Sequence, residues 1–370
     1  MKSGFYVGLL SGTSMDGADA ALIECAGDSS TLVHALTLNY PGSLNSRIRQ
    51  AIGEHARLEI RIATELDVML GEHFANAVDR LLSEAGTLAH DIIAIGSHGQ
   101  TICHAAQNKP PFSLQLGDPN VIAEATGIDV IADFRRRDLA AGGQGAPLAP
   151  LLHAALLRSG DESRAVVNIG GIANITLLPA NPGLPITGFD TGPGNCLLDE
   201  NCSRHLHQQF DPDGQWAASG QVQPGALKSL LADPFFELPG PKSTGRETFN
   251  SRWVERQLKD NLVDPVDLQA TLGQLTAETI ATAIGTAQPD TERVLVCGGG
   301  VHNTDLMQRL GRCLSAIPVC PSNTAGVDPD WVEAHLFAWL ARHHVEQIKI
   351  DTRSITGAKH QYIPGALYRG

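Results

Sequence analysis

The chain has 370 residues, of which 42% are hydrophobic and 18% are charged, which predicts a globular protein of about two domains. Lys and Arg number 27 against 40 Asp and Glu, and the formal charge of −13 disfavours nucleic acid and anionic membrane surfaces as partners. The seven cysteines lack paired spacing and no apolar run has membrane-spanning length, so the sequence disfavours a zinc site, a disulfide framework and a membrane protein, and favours the reducing cytoplasm.

The first pattern along the chain is a hairpin. Apolar runs at 5–10 and 20–25 flank a turn rich in Ser, Gly, Thr and Asp, which predicts two strands joined by a tight loop. Gly12 and Gly17 allow a phosphate to approach the backbone N–H groups of such a loop. Asp16 would repel bare phosphate, so its natural role is to hold Mg²⁺. The pattern alone leaves open an ordinary hairpin whose turn residues are chosen for conformation.

A polar segment follows the next predicted strand. A long amphipathic helix at 59–84, stopped by Gly86, precedes a buried strand at 91–95. We expect 96–101 (GSHGQT) to form a loop at the end of that strand, where ligands bind in open α/β sheets. His98 and Gln100 are therefore candidates for sugar contacts, and a structural histidine is the alternative.

The strongest break in the chain is GGQGAP at 142–147. Before it, Asp118 and Pro119 predict a helix start, and a strand at 129–134 leads into three arginines at 135–137. The arginines form either a solvated face or a fork for a carboxylate or sugar oxygen. We expect one domain at 1–135 with about 345–370, and a second at 136–344. A last amphipathic helix at 331–345 is expected to return toward the first domain.

The second half repeats the opening pattern. RAVVNIGGIANITLL at 164–178 predicts another hairpin, with Gly170 and Gly171 in its turn, and the repetition suggests duplicated domains. Next, a strand at 186–189 ends at Asp190, before a Gly-rich turn and a helix at 196–207. Asp190 is either a turn or cap residue or a general base, which a helix dipole would keep ionised.

Two further glycine-rich segments follow. The loop at 239–248 lacks the spacing of a P-loop, and G-x-G-x-x-G is absent from the chain. Lys242 and Arg246 in that loop are either phosphate-binding cations or solvated loop residues. Gly298, Gly299 and Gly300 separate a strand at 293–297 from a helix, which allows adenine or ribose to lie against the backbone.

Eight strings occur in order from the N-terminus to about Asn303: GLLSGTSMDG, AIGSHGQT, GIDVIADFRRRD, AAGGQGAPL, NIGGIANIT, FDTGPGN, GPKSTGRE and VLVCGGGVHNT. Together they resemble the anhydro-N-acetylmuramic acid kinases, within the superfamily of sugar kinases, Hsp70 and actin. The resemblance implies an α/β, two-domain actin-like ATPase (ribonuclease H-like) fold with the active site in the interdomain cleft.

The resemblance also implies a reaction. ATP, with Mg²⁺, and water would convert 1,6-anhydro-N-acetylmuramic acid into N-acetylmuramic acid 6-phosphate in cytoplasmic peptidoglycan recycling. Asp190 would take a proton from the water that attacks the anomeric carbon, while the released O6 receives the γ-phosphoryl group. Arg137 matches the substrate-contacting arginine of the family. The implied nucleotide site comprises Gly12, Thr13, Ser14, Asp16, Gly17, Asp19, Gly170, Gly171, Gly298, Gly299 and Gly300, with Asp16 on Mg²⁺ through water.

Two rival functions stay open. In an ordinary sugar kinase, Asp190 would deprotonate a sugar hydroxyl and no water would enter. A nucleotide-switched binding protein of the Hsp70 or actin kind would need a peptide-binding domain or a polymerising surface, for which the sequence offers no extra segment. A homodimer is compatible with the sequence, which does not determine the oligomeric state.

Overall fold

The computed structural model describes residues 3–12, 15–52, 58–259 and 262–370. The chain divides into two compact units. Unit 1 comprises Met1–Leu152 with Trp331–Gly370, and unit 2 comprises His153–Asp330.

Runs of strands and runs of helices are interleaved along the described residues. The strands are β1 Gly4–Ser11, β2 Gly17–Ala26, β3 Ser29–Asn39, β4 Ile92–Ala105, β5 Phe112–Leu116, β6 Val130–Ala132, β7 Arg164–Ile169, β8 Ile172–Leu178, β9 Thr187–Pro193, β10 Arg293–Cys297, β11 Val319–Pro321 and β12 Ala366–Tyr368. The helices are α1 Gly42–Ile52, α2 Ile60–Ala85, α3 Pro119–Thr126, α4 Phe134–Ala140, α5 Ala149–Leu157, α6 Cys196–Leu206, α7 Gln215–Ser219, α8 Pro224–Leu231, α9 Pro234–Glu237, α10 Ser251–Leu258, α11 Pro265–Ala287, α12 Thr304–Leu314 and α13 Val332–Val345.

The two units contain sheets of the same topology. In unit 1 the strand order is β3-β2-β1-β4-β6-β12, and β5 pairs with β4. In unit 2 the order is β9-β8-β7-β10-β11. Each sheet begins with three antiparallel strands, after which two strands lie parallel to the first. This is the ribonuclease H-like order repeated twice, so the predicted two-domain actin-like fold is confirmed.

The core of unit 1 depends on the predicted long helix. α2 has buried Leu66, Leu70 and Phe74 on the face that packs against the sheet. It ends at Gly86, which has a φ of 65° and donates its N–H to the carbonyl of Ser83. The apolar period and the glycine stop predicted from the sequence are both confirmed.

Unit 2 has two buried clusters. One, which includes Val167, Val296 and Ile280, joins the sheet to α11 and α12. The other is centred on Phe249 and Trp253 and includes residues of α6, α8 and α10. Apolar packing therefore fixes α6 and the segment before α10 within this unit.

The segment at 96–101 is part of a strand, so the prediction of a loop there is wrong. β4 continues through Ala105 and pairs with β1 from Phe5 to Ser11. Gly96 is needed because α13 packs against this strand: an added Cβ would meet the carbonyl oxygen of Phe337. The polar residues after Ile95 are therefore buried in the sheet of unit 1.

The limits of the two observed units differ from those of the predicted domains, both where the chain leaves unit 1 and where it returns to it. Residues 136–152 and 331–344 belong to unit 1. Asp138 of α4 is fully buried and accepts hydrogen bonds from Thr352, Thr356 and Tyr362, which ties α4 to the C-terminal segment. α13 packs on β1 and β4, as its expected return toward the first domain requires. Within the described residues, no helix combines the length and apolar character needed to cross a membrane.

Candidate active site

The first hairpin turn lies between β1 and β2, which pair as far as Leu10 opposite Asp19. Met15 in this turn has a φ of 57°, and its carbonyl accepts a hydrogen bond from Asn45 of α1. The carbonyl of Asp16 accepts a hydrogen bond from the N–H of Tyr40 at 2.9 Å. The turn backbone is thus held by α1 and by the residue that follows β3, while the Asp16 side chain is exposed.

The remaining predicted residues of this turn differ in what surrounds them. Asp19 is half-buried and accepts a hydrogen bond from Thr37 Oγ1 at 2.6 Å. Gly17 is buried at the start of β2. Thr13 and Ser14 lie outside the described residues, so their roles as phosphate ligands stay predictions.

Gln100 lies beneath this turn. It is 2% exposed, and its Oε1 is 2.5 Å from Ser11 Oγ, which in turn is 3.1 Å from the carbonyl oxygen of Gly17. Its Nε2 donates to the carbonyl of Thr101. These contacts favour a structural connection between β4 and the turn over the predicted contact with sugar.

His98 has both ring nitrogens engaged. Nδ1 is 2.8 Å from the carbonyl oxygen of Gly99, and Nε2 accepts a hydrogen bond of 2.8 Å from Arg135 Nε. Burial, with the charge of Arg135 second, holds the pKa of His98 well below its usual range. The neutral ring therefore orients Arg135, and a direct sugar contact of His98 stays a prediction.

The three arginines lie on α4, which begins at the last residue of the strand predicted at 129–134, and they point to different partners. Arg135 binds His98 and also donates to the carbonyl of Gly145 at 3.0 Å. Arg136 is exposed and pairs with Asp133. Arg137 donates to the carbonyl of Ile363 at 3.3 Å, and its guanidinium lies over the ring of Tyr362. The sequence did not distinguish Arg135, because only the fold brings His98 to it.

In unit 2, the second hairpin turn consists of Gly170 and Gly171, as predicted from the sequence. The carbonyl of Gly170 accepts a hydrogen bond from the N–H of Asn195. The carbonyl of Gly171 accepts from the N–H groups of Gly194 and Cys196, at the start of α6. Because their carbonyls are bonded to this segment, the turn offers less negative charge to an anion than an open loop would.

Asp190 lies within β9, next to an irregularity in the pairing of that strand. Asn174 pairs with Asp190 while the preceding residue, Ala173, pairs with Gly192, so Thr191 is the extra residue of a β-bulge. Bulges re-aim neighbouring side chains. The Oδ2 atom of Asp190 accepts a hydrogen bond of 2.9 Å from the N–H of Thr244, and among the described residues no donor reaches Oδ1. One oxygen is therefore fixed by the backbone and the other is available to a proton donor.

The electrostatic surroundings of Asp190 differ from those expected. Burial, as the largest cause, raises the pKa of Asp190 to about 6, and the charge of Glu247 raises it further, while the hydrogen bond from Thr244 lowers it. The sequence led us to expect that a helix dipole keeps Asp190 ionised; burial instead shifts its pKa upward, although a pKa of about 6 leaves the carboxylate mostly ionised at pH 7. A pKa just below neutral suits a general base, because such a carboxylate is ionised at pH 7 yet accepts a proton readily.

Of the glycines at 298–300, Gly299 lines a cavity of unit 2 with a volume of about 400 Å³. Gly298 has a φ of 78°, and Gly299 is exposed at the cavity. Other residues that line the cavity include Asn195, Leu198, Asp199, Phe210 and Asn303. Burial raises the pKa of Asp199 to about 6, and the charge of Arg246 lowers it. The sequence predicted the glycine side of this cavity and missed the side formed by α6, because a helix face carries no motif for ligand binding.

The chemistry of the first turn fits Mg²⁺ bound together with phosphates. Among the described residues, no group of three or more His, Cys, Asp or Glu side chains could hold a metal ion alone. Mg²⁺ keeps several waters and needs only one or two carboxylates when substrate phosphates supply further oxygens. Asp16 and Asp19, both near the first turn, provide that number.

The chain is similar to known proteins over nearly its full length. The family model described as anhydro-N-acetylmuramic acid kinase matches residues 4–370. The protein of that name from Coxiella burnetii (strain RSA 493 / Nine Mile phase I) is 47% identical over 365 residues, covering 99% of this chain and 97% of its own. The protein of that name from Xanthomonas axonopodis pv. citri (strain 306) is 48% identical over 372 residues, covering 100% of this chain and 99% of its own.

One solved structure that resembles the chain is the activator of the 2-hydroxyisocaproyl-CoA dehydratase from Clostridium difficile with bound ADPNP. The two are 12% identical, and the match has a TM-score of 0.47 and covers 93% of this chain and 96% of the activator.

Proposed function

This chain belongs to the anhydro-N-acetylmuramic acid kinase family, and we propose that it converts 1,6-anhydro-N-acetylmuramic acid, ATP and water into N-acetylmuramic acid 6-phosphate and ADP during peptidoglycan recycling. The observation that carries the proposed mechanism is the Asp190 carboxylate, which has one oxygen held by the Thr244 N–H and a pKa raised by burial to about 6. These are the properties required to deprotonate water at neutral pH.

The proposed reaction changes two bonds of the sugar. Asp190 takes a proton from water, whose oxygen attacks the anomeric carbon, and the bond from that carbon to O6 breaks. O6 then attacks the γ-phosphorus, and the bond from that phosphorus to the β,γ-bridging oxygen breaks to release ADP. Phosphoryl transfer of this kind depends on positioning and on neutralising the phosphate oxygens more than on covalent chemistry.

The proposed binding site for adenosine is the cavity of unit 2. Its volume of about 400 Å³ lies in the range of small-molecule sites, and its lining combines the apolar Leu198 and Phe210 with the polar Asn195 and Asn303. Gly299 on the same cavity leaves the backbone open to a flat ligand. Gly170 and Gly171 bind the phosphates in this proposal.

The first turn of unit 1 is the proposed contact for Mg²⁺. Asp16 at the tip would hold the ion through water, and Asp19 is the second carboxylate. Bound there, Mg²⁺ neutralises charge on the phosphates. Gly12, Thr13, Ser14 and Gly17 complete the proposed phosphate site.

Arg137 is the proposed contact for the sugar, on family resemblance. Its guanidinium is half-buried beside Tyr362, so stacking restricts the side chain that would meet the substrate. His98 supports the same helix indirectly, through Arg135, whereas Gln100 is bonded to Ser11 at the first turn. A cytoplasmic location belongs to the proposal because ATP is the phosphoryl donor.

The proposal is tested by running the reaction in water enriched in ¹⁸O. We expect one labelled oxygen at the anomeric carbon for each phosphate transferred, beyond the label that pre-formed product acquires by exchange in the same time. An ordinary sugar kinase would leave the anomeric carbon unlabelled. Glucose and N-acetylglucosamine serve as control acceptors.

A different outcome would identify a nucleotide-switched binding protein. ATP turnover that does not depend on the anhydro-sugar and changes with a bound protein would refute the kinase. A homodimer stays a prediction, and light scattering of the purified protein measures the oligomeric state.

A further inference from the structure

Two cations lie in the segment GPKSTGRE at 240–247, and the structure separates their roles. Lys242 Nζ donates to the carbonyls of Phe235 and Phe236, at 2.8 and 3.3 Å, and lies 4.5 Å from the centre of the Phe235 ring. Its charge is therefore used to hold α9 and is not available to a ligand.

Arg246 is placed differently. Its side chain is exposed and, within the described residues, makes no hydrogen bond or ion pair. The guanidinium lies directly over Gly171: a Cβ built on that glycine would be 2.5 Å from Nε and Nη2 and 2.8 Å from Cζ. Any other side chain at 171 would displace the guanidinium from the turn. A planar cation with several donors thus lies at the proposed phosphate turn.

The same segment is bound to the proposed catalytic carboxylate. Asp190 donates its N–H to the carbonyl of Lys242 at 3.0 Å and accepts the N–H of Thr244 at 2.9 Å. The hydroxyl Oγ1 of Thr244 is buried and, among the described residues, has no hydrogen-bond partner. A buried hydroxyl without a partner is costly unless a ligand or water completes it. The backbone of 242–244 therefore ties the segment that carries Arg246 to Asp190.

Arg246 also lies within electrostatic range of the nucleotide cavity. Its charge lowers the pKa of Asp199, which lines that cavity, and of Cys196, at the start of α6. The guanidinium thus lies between the turn at Gly171 and α6, the part of unit 2 that the phosphates of a nucleotide bound in this cavity would reach.

We propose that Arg246 binds the γ-phosphoryl group of ATP and stabilises its charge during transfer. This inference rests on the proposed function, because it assigns a ligand to the same site. When O6 bonds to the γ-phosphorus and ADP leaves, negative charge spreads over the equatorial oxygens, and the guanidinium donates hydrogen bonds to them without transferring a proton. Lys242 makes no such contact, and Gly171 is required because it lets the guanidinium approach.

The test compares Arg246→Ala and Arg246→Lys with Arg256→Ala, an exposed arginine of α10 in the same unit. We expect Arg246→Ala to lower kcat by about 10³-fold, the lower end of what such arginines contribute. The KM for the anhydro-sugar should change little. Arg246→Lys should recover only part of kcat, because a point charge cannot reproduce the planar fork. Arg256→Ala should behave as the unaltered protein.

A binding measurement separates this inference from the proposed function. Titration calorimetry without sugar should show that Arg246→Ala weakens the binding of ATP by about tenfold and the binding of ADP by less than twofold. This result requires no knowledge of the sugar, so it holds or fails even if the anhydro-sugar is not the substrate. Equal losses for ATP and ADP, or a kcat within threefold of the unaltered protein, would overturn the role of Arg246.

A second pair of variants tests the steric part. Gly171→Ala should lose activity as Arg246→Ala does, whereas Gly170→Ala, where the added Cβ has its nearest neighbour at 3.6 Å, should lose less. The kcat of the double variant Gly171→Ala/Arg246→Ala should be no lower than that of the less active single variant, since both substitutions remove the same contact. Multiplied losses in the double variant would contradict the inference. Far-UV circular dichroism and the thermal midpoint report whether each variant folds.

Discussion

The two hairpin turns occupy the same position in two sheets of the same topology, yet the charged side chains that lie at them have opposite signs. The turn of unit 1 has five residues, 12–16, with the carboxylate of Asp16 at its tip. The turn of unit 2 has only Gly170 and Gly171, and the guanidinium of Arg246 lies over it. A repeated fold therefore fixes where a turn lies but not how it meets an anion. In a chain of charge −13, we propose that one turn binds phosphate through a metal ion and the other through an arginine.

The turns also differ in what holds them. The carbonyl of Met15 in the first turn accepts a hydrogen bond from the side chain of Asn45. The carbonyls of the second turn accept hydrogen bonds from the backbone of 194–196. The first turn, whose Asp16 carbonyl also accepts the N–H of Tyr40, therefore depends in part on one side chain, whereas these contacts of the second turn involve only the backbone.

The largest expected effect would come from the carboxylate beside the second turn. Asp190→Asn should fold and bind ATP but lose about 10²- to 10⁴-fold in kcat, the usual contribution of a general base. The dependence of its activity on Mg²⁺ should not change, because the proposed contact for the metal is the first turn. Steady-state kinetics at several Mg²⁺ concentrations measure both, and near-normal turnover would remove Asp190 from the mechanism.

The next effect tests the carboxylate of the first turn. Asp16→Asn should raise the Mg²⁺ concentration for half-maximal activity by about tenfold, the lower range for groups that hold a metal indirectly. Asp28→Asn is a matched control, since Asp28 is exposed in a different turn of the same sheet. If both variants give the same Mg²⁺ curve, the first turn does not bind the ion and the contrast between the turns fails.

A smaller effect should follow when the first turn loses its side-chain support. Asn45→Ala should weaken MgATP binding by about fivefold, which corresponds to one hydrogen bond of about 1 kcal/mol. Gln50→Ala, an exposed position of the same helix, should leave the affinity unchanged. Calorimetric dissociation constants decide the question, and a smaller loss for Asn45→Ala than for Gln50→Ala would show that the turn is held in another way.

The smallest expected effect concerns the pH profile. Because Asp190 acts as a base only when ionised and its pKa is about 6, activity should rise with pH through about 6 and fall below it. Glu247 raises that pKa, so Glu247→Gln should move the acid limb to lower pH, by about 0.3 units for a screened charge. Profiles of kcat/KM between pH 4.5 and 8 measure the shift, and a shift to higher pH would contradict this charge assignment.

The local elements were predictable wherever a pattern of short range decides them. The start of α3 at Asp118 and Pro119, the end of α2 at Gly86 and the strand at 293–297 all agree with the structure. The loop predicted at 96–101 is wrong because contacts between residues far apart in sequence decide its structure. Its glycines and polar residues resemble a loop, but they are buried because α13, from the far end of the chain, packs on them.

The residues of the candidate site show the same contrast between what local sequence decides and what long-range contacts decide. Motifs indicated Asp190 and the glycines of both turns, because backbone freedom and carboxylate chemistry are properties of single residues. The partners of those residues could not be predicted: Arg135 on His98, Thr244 on Asp190 and Arg246 on Gly171 each join parts of the chain far apart in sequence. The upward shift in the pKa of Asp190 could not be predicted either, since burial depends on what packs around a group and not on its neighbours in the chain.

The sequence by itself determined the family, the repeated hairpins and the identity of the main chemical groups, since eight ordered motifs and the periodicity of apolar residues are local information. Only the tertiary structure decided that Lys242 caps α9 while Arg246 lies over the turn at Gly171, although the two are four residues apart. The physical reason is that the charge of a side chain is fixed by its residue type, but its availability to a ligand depends on which buried carbonyls and rings the fold brings within reach.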